Sequence, residues 1–183
     1  MATFKKETNI TTAITLLSDL IRAAIDTSEY LIPFSTELTY LSKYIEIQNI
    51  RYKNKFNIHW DIPEDTMALK VFKFSLQPIV ENSIVHGIIP SDKTGDIYVS
   101  AKIQNNNLQI TVKDNGVGMS YARLCEVRNK INSNILEKNS SIGISNTNQR
   151  IKIIFGDNFG CYINSDENGT TVDIIMPIIE NEE

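Results

Sequence analysis

From about Thr8 to Thr27 the apolar residues Ile10, Ala13, Ile14, Leu17, Leu20, Ile21, Ala24 and Ile25 recur at steps of three and four. That spacing predicts an amphipathic helix. Pro33 interrupts the pattern, because proline inside a continuing helix forfeits a hydrogen bond. A second helix is expected from Ser35 as N-cap, with Glu37 in its first turn and Leu38, Leu41, Tyr44, Ile45 and Gln48 along one side to about Tyr52. Two such stripes can be buried in a core or against a dimer partner, and periodicity leaves both open.

Beyond residue 53 the period changes. Phe56, Ile58 and Trp60 alternate with polar residues, the mark of a half-buried strand, and Pro63 ends it. A helix is expected from about Lys73 to His86. Two strands, Ile97–Ile103 and Leu108–Val112, are joined at Asn105-Asn106-Asn107, a hairpin turn. Met119 to Asn132 reads as a helix, 133–142 as an Asn- and Ser-rich loop, Ser145–Phe155 as a helix, and Cys161–Ile163 and Thr171–Met176 as closing strands. The order predicts an α+β chain: leading helices over 1–52, then an α/β layer over 53–183 with an antiparallel sheet covered by helices on one face.

Composition narrows the picture. The chain has 183 residues, 42% hydrophobic and 22% charged, which suits one domain with a core and a modest appendage. A net charge of −4 argues against a broad nucleic-acid surface. Cys125 and Cys161 stand far apart in no metal-binding pattern, so a reduced, cytoplasmic setting is expected. No apolar stretch is long enough to span a bilayer, and membrane contact is expected only through segments of a longer parent.

Four clusters carry chemistry. In Gln77-Pro78-Ile79-Val80-Glu81-Asn82-Ser83-Ile84-Val85-His86-Gly87, Asn82 and His86 lie one helical turn apart. An amide oxygen such as that of Asn82 is a hard, neutral donor suited to Mg²⁺. In Asp114-Asn115-Gly116-Val117-Gly118-Met119, a carboxylate at a strand end can accept the exocyclic amine of adenine, while Gly116 and Gly118 let backbone approach a ligand. Ser141-Ile142-Gly143-Ile144-Ser145-Asn146 leads into a helix whose free N–H groups suit a phosphate. Asn168-Gly169-Thr170-Thr171 places hydroxyls before the last strand. Each cluster alone also reads as a buried Asn, a glycine turn, an N-cap or a hairpin turn. No GxxxxGK[ST] phosphate loop occurs.

In this order and spacing the clusters resemble the Bergerat-type ATP site of the GHKL superfamily. Together with Glu37-Leu38-Thr39-Tyr40-Leu41, Tyr44-Ile45-Glu46-Ile47-Gln48 and Arg51-Tyr52, they look like LytS/YesM-type bacterial sensor histidine kinases from about Leu16 to Pro177. The resemblance implies a two-layer α/β sandwich with a mixed, mainly antiparallel sheet, preceded by dimerisation and linker helices. It implies ATP and Mg²⁺ as ligands, with Asn82 holding the metal and Asp114 the adenine amine. His86, Gly87, Gly116, Gly118, Met119, Ser141, Ile142, Gly143, Ile144, Asn146, Thr170 and Thr171 complete the implied nucleotide site. Residues 119–142 would form the lid. The implied partners are a response-regulator receiver domain and a second kinase protomer, and the implied location is the cytoplasmic portion of a membrane sensor.

Three departures qualify this. Val85 stands where the family commonly has a basic residue, and Ser141 where it has glycine. The family's Asn-Pro-His-Phe-type phosphoacceptor motif is absent, the two histidines being His59 and His86. The chain is therefore expected to bind Mg–ATP without phosphorylating itself, its acceptor histidine lying in a preceding helix of the parent. A GHKL-type ATPase and a degenerate nucleotide-sensing module remain the alternatives. The ATPase would need an acidic base near Pro78, since Glu81 points to another face.

Overall fold

A computed structural model describes residues 2–132 and 142–179. Helix α1 runs Ala2–Ile25, strand β1 Leu31–Pro33 and helix α2 Phe34–Tyr52. Strand β2 (Phe56–Asp61) leads through a 3₁₀ turn at Glu64–Thr66 to strand β3 (Lys70–Phe72). Helix α3 (Gln77–Asn82) passes directly into a π-helical turn, Ser83–Ile88. Strands β4 (Gly95–Gln104) and β5 (Asn107–Asp114) follow, then helices α4 (Tyr121–Asn132) and α5 (Ile142–Phe155) and strands β6 (Gly160–Asp166) and β7 (Gly169–Pro177).

The sheet has the order β2-β4-β5-β7-β6. Only β2–β4 is parallel, so the sheet is mixed and mainly antiparallel. Alternation along the strands sends Ile97, Val99, Leu108, Ile110, Val172 and Ile174 into the core and leaves Tyr98 and Tyr162 exposed on the other face. Helices α3 to α5 cover the buried face, giving two layers. The β4–β5 turn has two residues, not three. Asn105 and Asn106 take φ of 52° and 61°, and Asn107 already pairs with Gln104. Positive φ at both central positions is the conformation whose twist matches a hairpin, and Asn tolerates it.

Two helix starts differ from expectation. Ser35 is not the N-cap of α2; Pro33 is, with no side-chain cap. The first N–H groups find the loop before β3 instead, Phe34 donating to the Leu69 carbonyl at 2.8 Å and Ser35 to that of Met67 at 3.0 Å. The helix expected from Lys73 begins only at Gln77, because Phe74 has a φ of 58° and the chain folds back on itself there. The strands β1 and β3 form a separate two-stranded antiparallel sheet that the alternation pattern, at three residues each, is too short to reveal. Along α2, the side carrying Leu38, Leu41, Tyr44, Ile45 and Gln48 is buried as expected.

Helix α1 behaves differently. Leu20 is buried against α2, and Lys43 bonds Asp19 at 2.7 Å, but Ile10, Ile14, Leu17, Ile21 and Ile25 are all half or more exposed. Among the described residues no helix is long and apolar enough to cross a membrane.

Candidate nucleotide-binding site

One cavity of about 450 Å³ opens between the sheet and its helical layer, within the size range of small-molecule sites. Asn82, His86, Gly87, Asp114, Gly118, Met119, Ile144 and Thr170 all line it. These residues come from α3 and its π-turn, the end of β5 with the loop after it, the start of α5 and the start of β7, so four separate segments converge on one space.

Asp114 is built into the cavity floor. It is 1% exposed, and its Oδ1 accepts the N–H of Gly116 at 2.9 Å and that of Thr170 at 3.3 Å. Burial raises its pKa above the usual aspartate value, and the Gly116 N–H, the Ser83 hydroxyl and the Thr170 N–H pull it back. The result is a fixed acceptor at the base of an otherwise largely apolar cleft, the geometry in which a hydrogen-bonding ligand is read by its donors.

The glycines around it serve close backbone approach. Gly116 lies against Gly87, where an added Cβ would come within 2.3 Å of the Gly87 carbonyl carbon, and the Gly87 carbonyl accepts Val117 N–H at 2.9 Å. Gly118 has a φ of 60°, and a Cβ there would meet the Asp166 carbonyl oxygen at 1.6 Å. Both positions exclude side chains on geometric grounds.

Asn82 donates its Nδ2 to the Pro78 carbonyl at 2.8 Å. The amide nitrogen is thereby occupied within the helix, and Oδ1 is the atom left to act as a ligand in the cavity. The chain then changes from α to π winding at Ser83, a form often found at functional sites. His86 therefore does not follow Asn82 by a regular α-turn, yet both line the cavity, His86 at its exposed rim.

Other expected residues lie elsewhere. Gly116 packs beneath the cavity, and Gly143 packs on Pro78, its Cβ position 2.5 Å from the Pro78 Cβ. Asn146 does not line the cavity, and Thr171 follows Thr170 onto the opposite face of β7. Ser141 and the side chain of Ile142 lie outside the described residues, as does the loop expected at 133–142 except for the Ile142 backbone. Of the expected lid, Tyr121–Asn132 is helix α4.

That helix supplies residues the clusters did not include. Arg123, Val127, Lys130 and Ile131 form one wall of the cavity. The three- and four-residue spacing of Arg123, Val127, Lys130 and Ile131 was the available signal. Ser83, inside the first cluster but given no role there, also lines the cavity. Asn115 is turned away, its Oδ1 accepting Asp96 N–H at 2.7 Å. Asp96 also meets His59 at 2.9 Å, and this bond leads the contacts that lower the Asp96 pKa. Arg150 does not line the cavity; it donates to the Lys73 carbonyl at 3.4 Å and lies over the Phe72 ring.

A buried carboxylate, glycine turns and a side-chain amide thus meet around one cleft of this fold. The family model described as "Histidine kinase-, DNA gyrase B-, and HSP90-like ATPase" matches residues 73–180, and the chain belongs to that family. A second model, "Histidine kinase", matches residues 1–56. Among curated relatives, Sensor protein kinase HptS of Staphylococcus aureus (strain USA300) is 30% identical over 168 residues. The match takes in 91% of this chain and 32% of that protein, so the chain spans about a third of the relative's length. The histidine kinase domain of the Erythrobacter litoralis EL346 blue-light activated histidine kinase superposes with a TM-score of 0.58 at 17% identity, over 93% of this chain and 75% of that one. The catalytic domain of histidine kinase ThkA gives 0.58 at 13% identity, over 82% and 97%. The chain thus has the fold of histidine kinase catalytic domains.

Proposed function

We propose that the chain is the catalytic, ATP-binding part of a two-component sensor histidine kinase, which directs the γ-phosphoryl group of ATP to a histidine that the chain itself does not present. The carrying observation is the convergence of Asp114, Asn82 and Thr170 on one cavity. Asp114 would accept the adenine amine, and Asn82 Oδ1 would hold Mg²⁺ together with phosphate oxygens. The metal suits this site because it takes few protein ligands, favours oxygen and neutralises phosphate charge during transfer. The chain's own contribution is positioning: a fixed acceptor for the base, an oxygen for the metal, and a wall with Arg123 and Lys130 along the cleft.

In this reading neither histidine is the phosphoacceptor. His59 is on the open sheet face, bonded to Asp96 and stacked on Tyr98, and His86 is at the rim of the cavity. The exposed apolar stripe of α1 suits a second copy of the chain, and the phosphate would pass on to an aspartate of a receiver domain.

Calorimetric titration with ATP tests the reading. Binding that Mg²⁺ strengthens in the wild-type chain, but no longer in Asn82→Ala, is expected, with no stable label from γ-³²P-ATP. No binding at millimolar ATP would instead indicate a degenerate module, and steady hydrolysis an ATPase. Glu81 is exposed and outside the cavity, which disfavours it as a hydrolytic base.

A further inference from the structure

Glu37 is a charged residue that the nucleotide chemistry leaves unused, yet it is 1% exposed. It projects from α2 into the turn before α3. Its Oε2 accepts Phe74 N–H at 2.7 Å and its Oε1 accepts Leu76 N–H at 3.0 Å, while Ser75 N–H between them donates to the Phe72 carbonyl at 3.2 Å. Two backbone donors of one turn are thus gathered by a single carboxylate belonging to another element. Leu76 is the N-cap of α3, which ends six residues later at Asn82.

A helix this short has little stability of its own and takes its direction from what holds its ends. Phe74 has a φ of 58°, a left-handed conformation that costs a bulky side chain free energy and persists only where the surroundings fix it. The fixing groups sit on α2. Tyr40, three residues after Glu37 and so on the same face, stacks on the Phe74 ring at 5.4 Å. From the other side, Arg150 of α5 donates to the Lys73 carbonyl, and Gly143 of α5 packs on Pro78 of α3. The buried Lys73 ammonium donates to the Asp26 carbonyl just beyond α1, at 2.8 Å. The leading helices therefore meet the start of α3 through hydrogen bonds as well as apolar contact.

We propose that Glu37 is a positioning residue for the nucleotide site: α2, gripping the backbone of 74–76, sets where α3 presents Asn82 to the cavity. Movement of α2 relative to the sheet is then transmitted to the Asn82 amide without any contact between α2 and the nucleotide. The proposal rests on the reading of the cavity as a Mg–ATP site.

The test uses the full chain, with Mg–ATP affinity by calorimetry and backbone amide exchange over 74–82. Glu37→Gln keeps the size but turns an amide N–H toward backbone donors. Removing a charged hydrogen-bond acceptor predicts roughly tenfold weaker Mg–ATP binding and faster exchange over 77–82, with unfolding still cooperative. Leu41→Ala, a core deletion on the same helix that keeps the Glu37 carboxylate and its bonds to the turn, should destabilise the chain and keep wild-type affinity. Tyr40→Leu removes the ring on Phe74 but spares the carboxylate; it is read in the same way and decides the matter where Glu37→Gln does not fold. Wild-type affinity in a folded Glu37→Gln chain overturns the proposal, as does equal weakening by Leu41→Ala. A wild-type chain that binds no ATP overturns the nucleotide reading instead, and the exchange rates then decide alone whether Glu37 holds α3.

Discussion

Two buried carboxylates, Asp114 and Glu37, are each held by backbone N–H groups from a neighbouring turn, and in each the dominant effect on acidity is burial. For Glu37 burial outweighs the donors from Leu76, Phe74 and Ser75 and the nearby Arg150 guanidinium, raising the pKa from 4.5 to about 7. A carboxyl whose folded pKa lies above its unfolded value binds more protons when folded. Its contribution to stability is therefore fully present below pH 4.5 and lost as the pH rises through about 7. Urea midpoints should fall across that window in the wild-type chain, and the fall should flatten in Glu37→Gln. An identical pH profile in the two proteins would remove Glu37 as the source.

At the scale of elements, helices α4 and α5 and strand β6 meet at Asn148. Its Nδ2 donates to the Ile131 carbonyl at 2.8 Å and its Oδ1 accepts Cys161 N–H at 2.8 Å, both buried. Asn148→Ala orphans both groups and should cost about 2–6 kcal/mol of unfolding free energy, since each buried unsatisfied polar group costs about 1–3; chemical denaturation reads it, and a loss within error of zero would show that water replaces the side chain. Such tertiary bonds also explain where the sequence was legible and where it was not. The stripe of α2 and the alternation of β4 and β5 are local patterns written by one buried face, and their elements were readable within a few residues. The start of α3 was not, because it depends on Glu37, distant in sequence, and on a left-handed Phe74 that no propensity favours. Of the cavity lining, Asp114, Gly118 and Asn82 were legible because an acid at a strand end, a glycine turn and a helix amide stand out as short motifs. The wall formed by α4 carries only an ordinary helical pattern and was missed.

At the scale of the whole molecule, two features of the described residues are open to a ligand or a partner: the cavity, and the stripe of α1. Isoleucines 10, 14 and 21 are exposed by 54%, 60% and 50%, more contiguous apolar surface than a lone helix ordinarily leaves in water. Sedimentation should find a concentration-dependent dimer, and Ile14→Asp a monomer; a wild-type chain that stays monomeric at every accessible concentration would contradict a dimer through α1. The cavity bears the central claim, that this is an adenine-nucleotide site read by Asp114. The direct measurement is a side-by-side titration of the chain with Mg–ATP and Mg–ITP, which differ where ATP carries the exocyclic amine and ITP a carbonyl. A buried carboxylate facing a carbonyl loses its donor and gains repulsion, so ATP should bind at least about tenfold more tightly, and Asp114→Asn should weaken ATP binding and erase most of that preference. Equal affinity for the two nucleotides in the wild-type chain, or ATP binding untouched by Asp114→Asn, would contradict it.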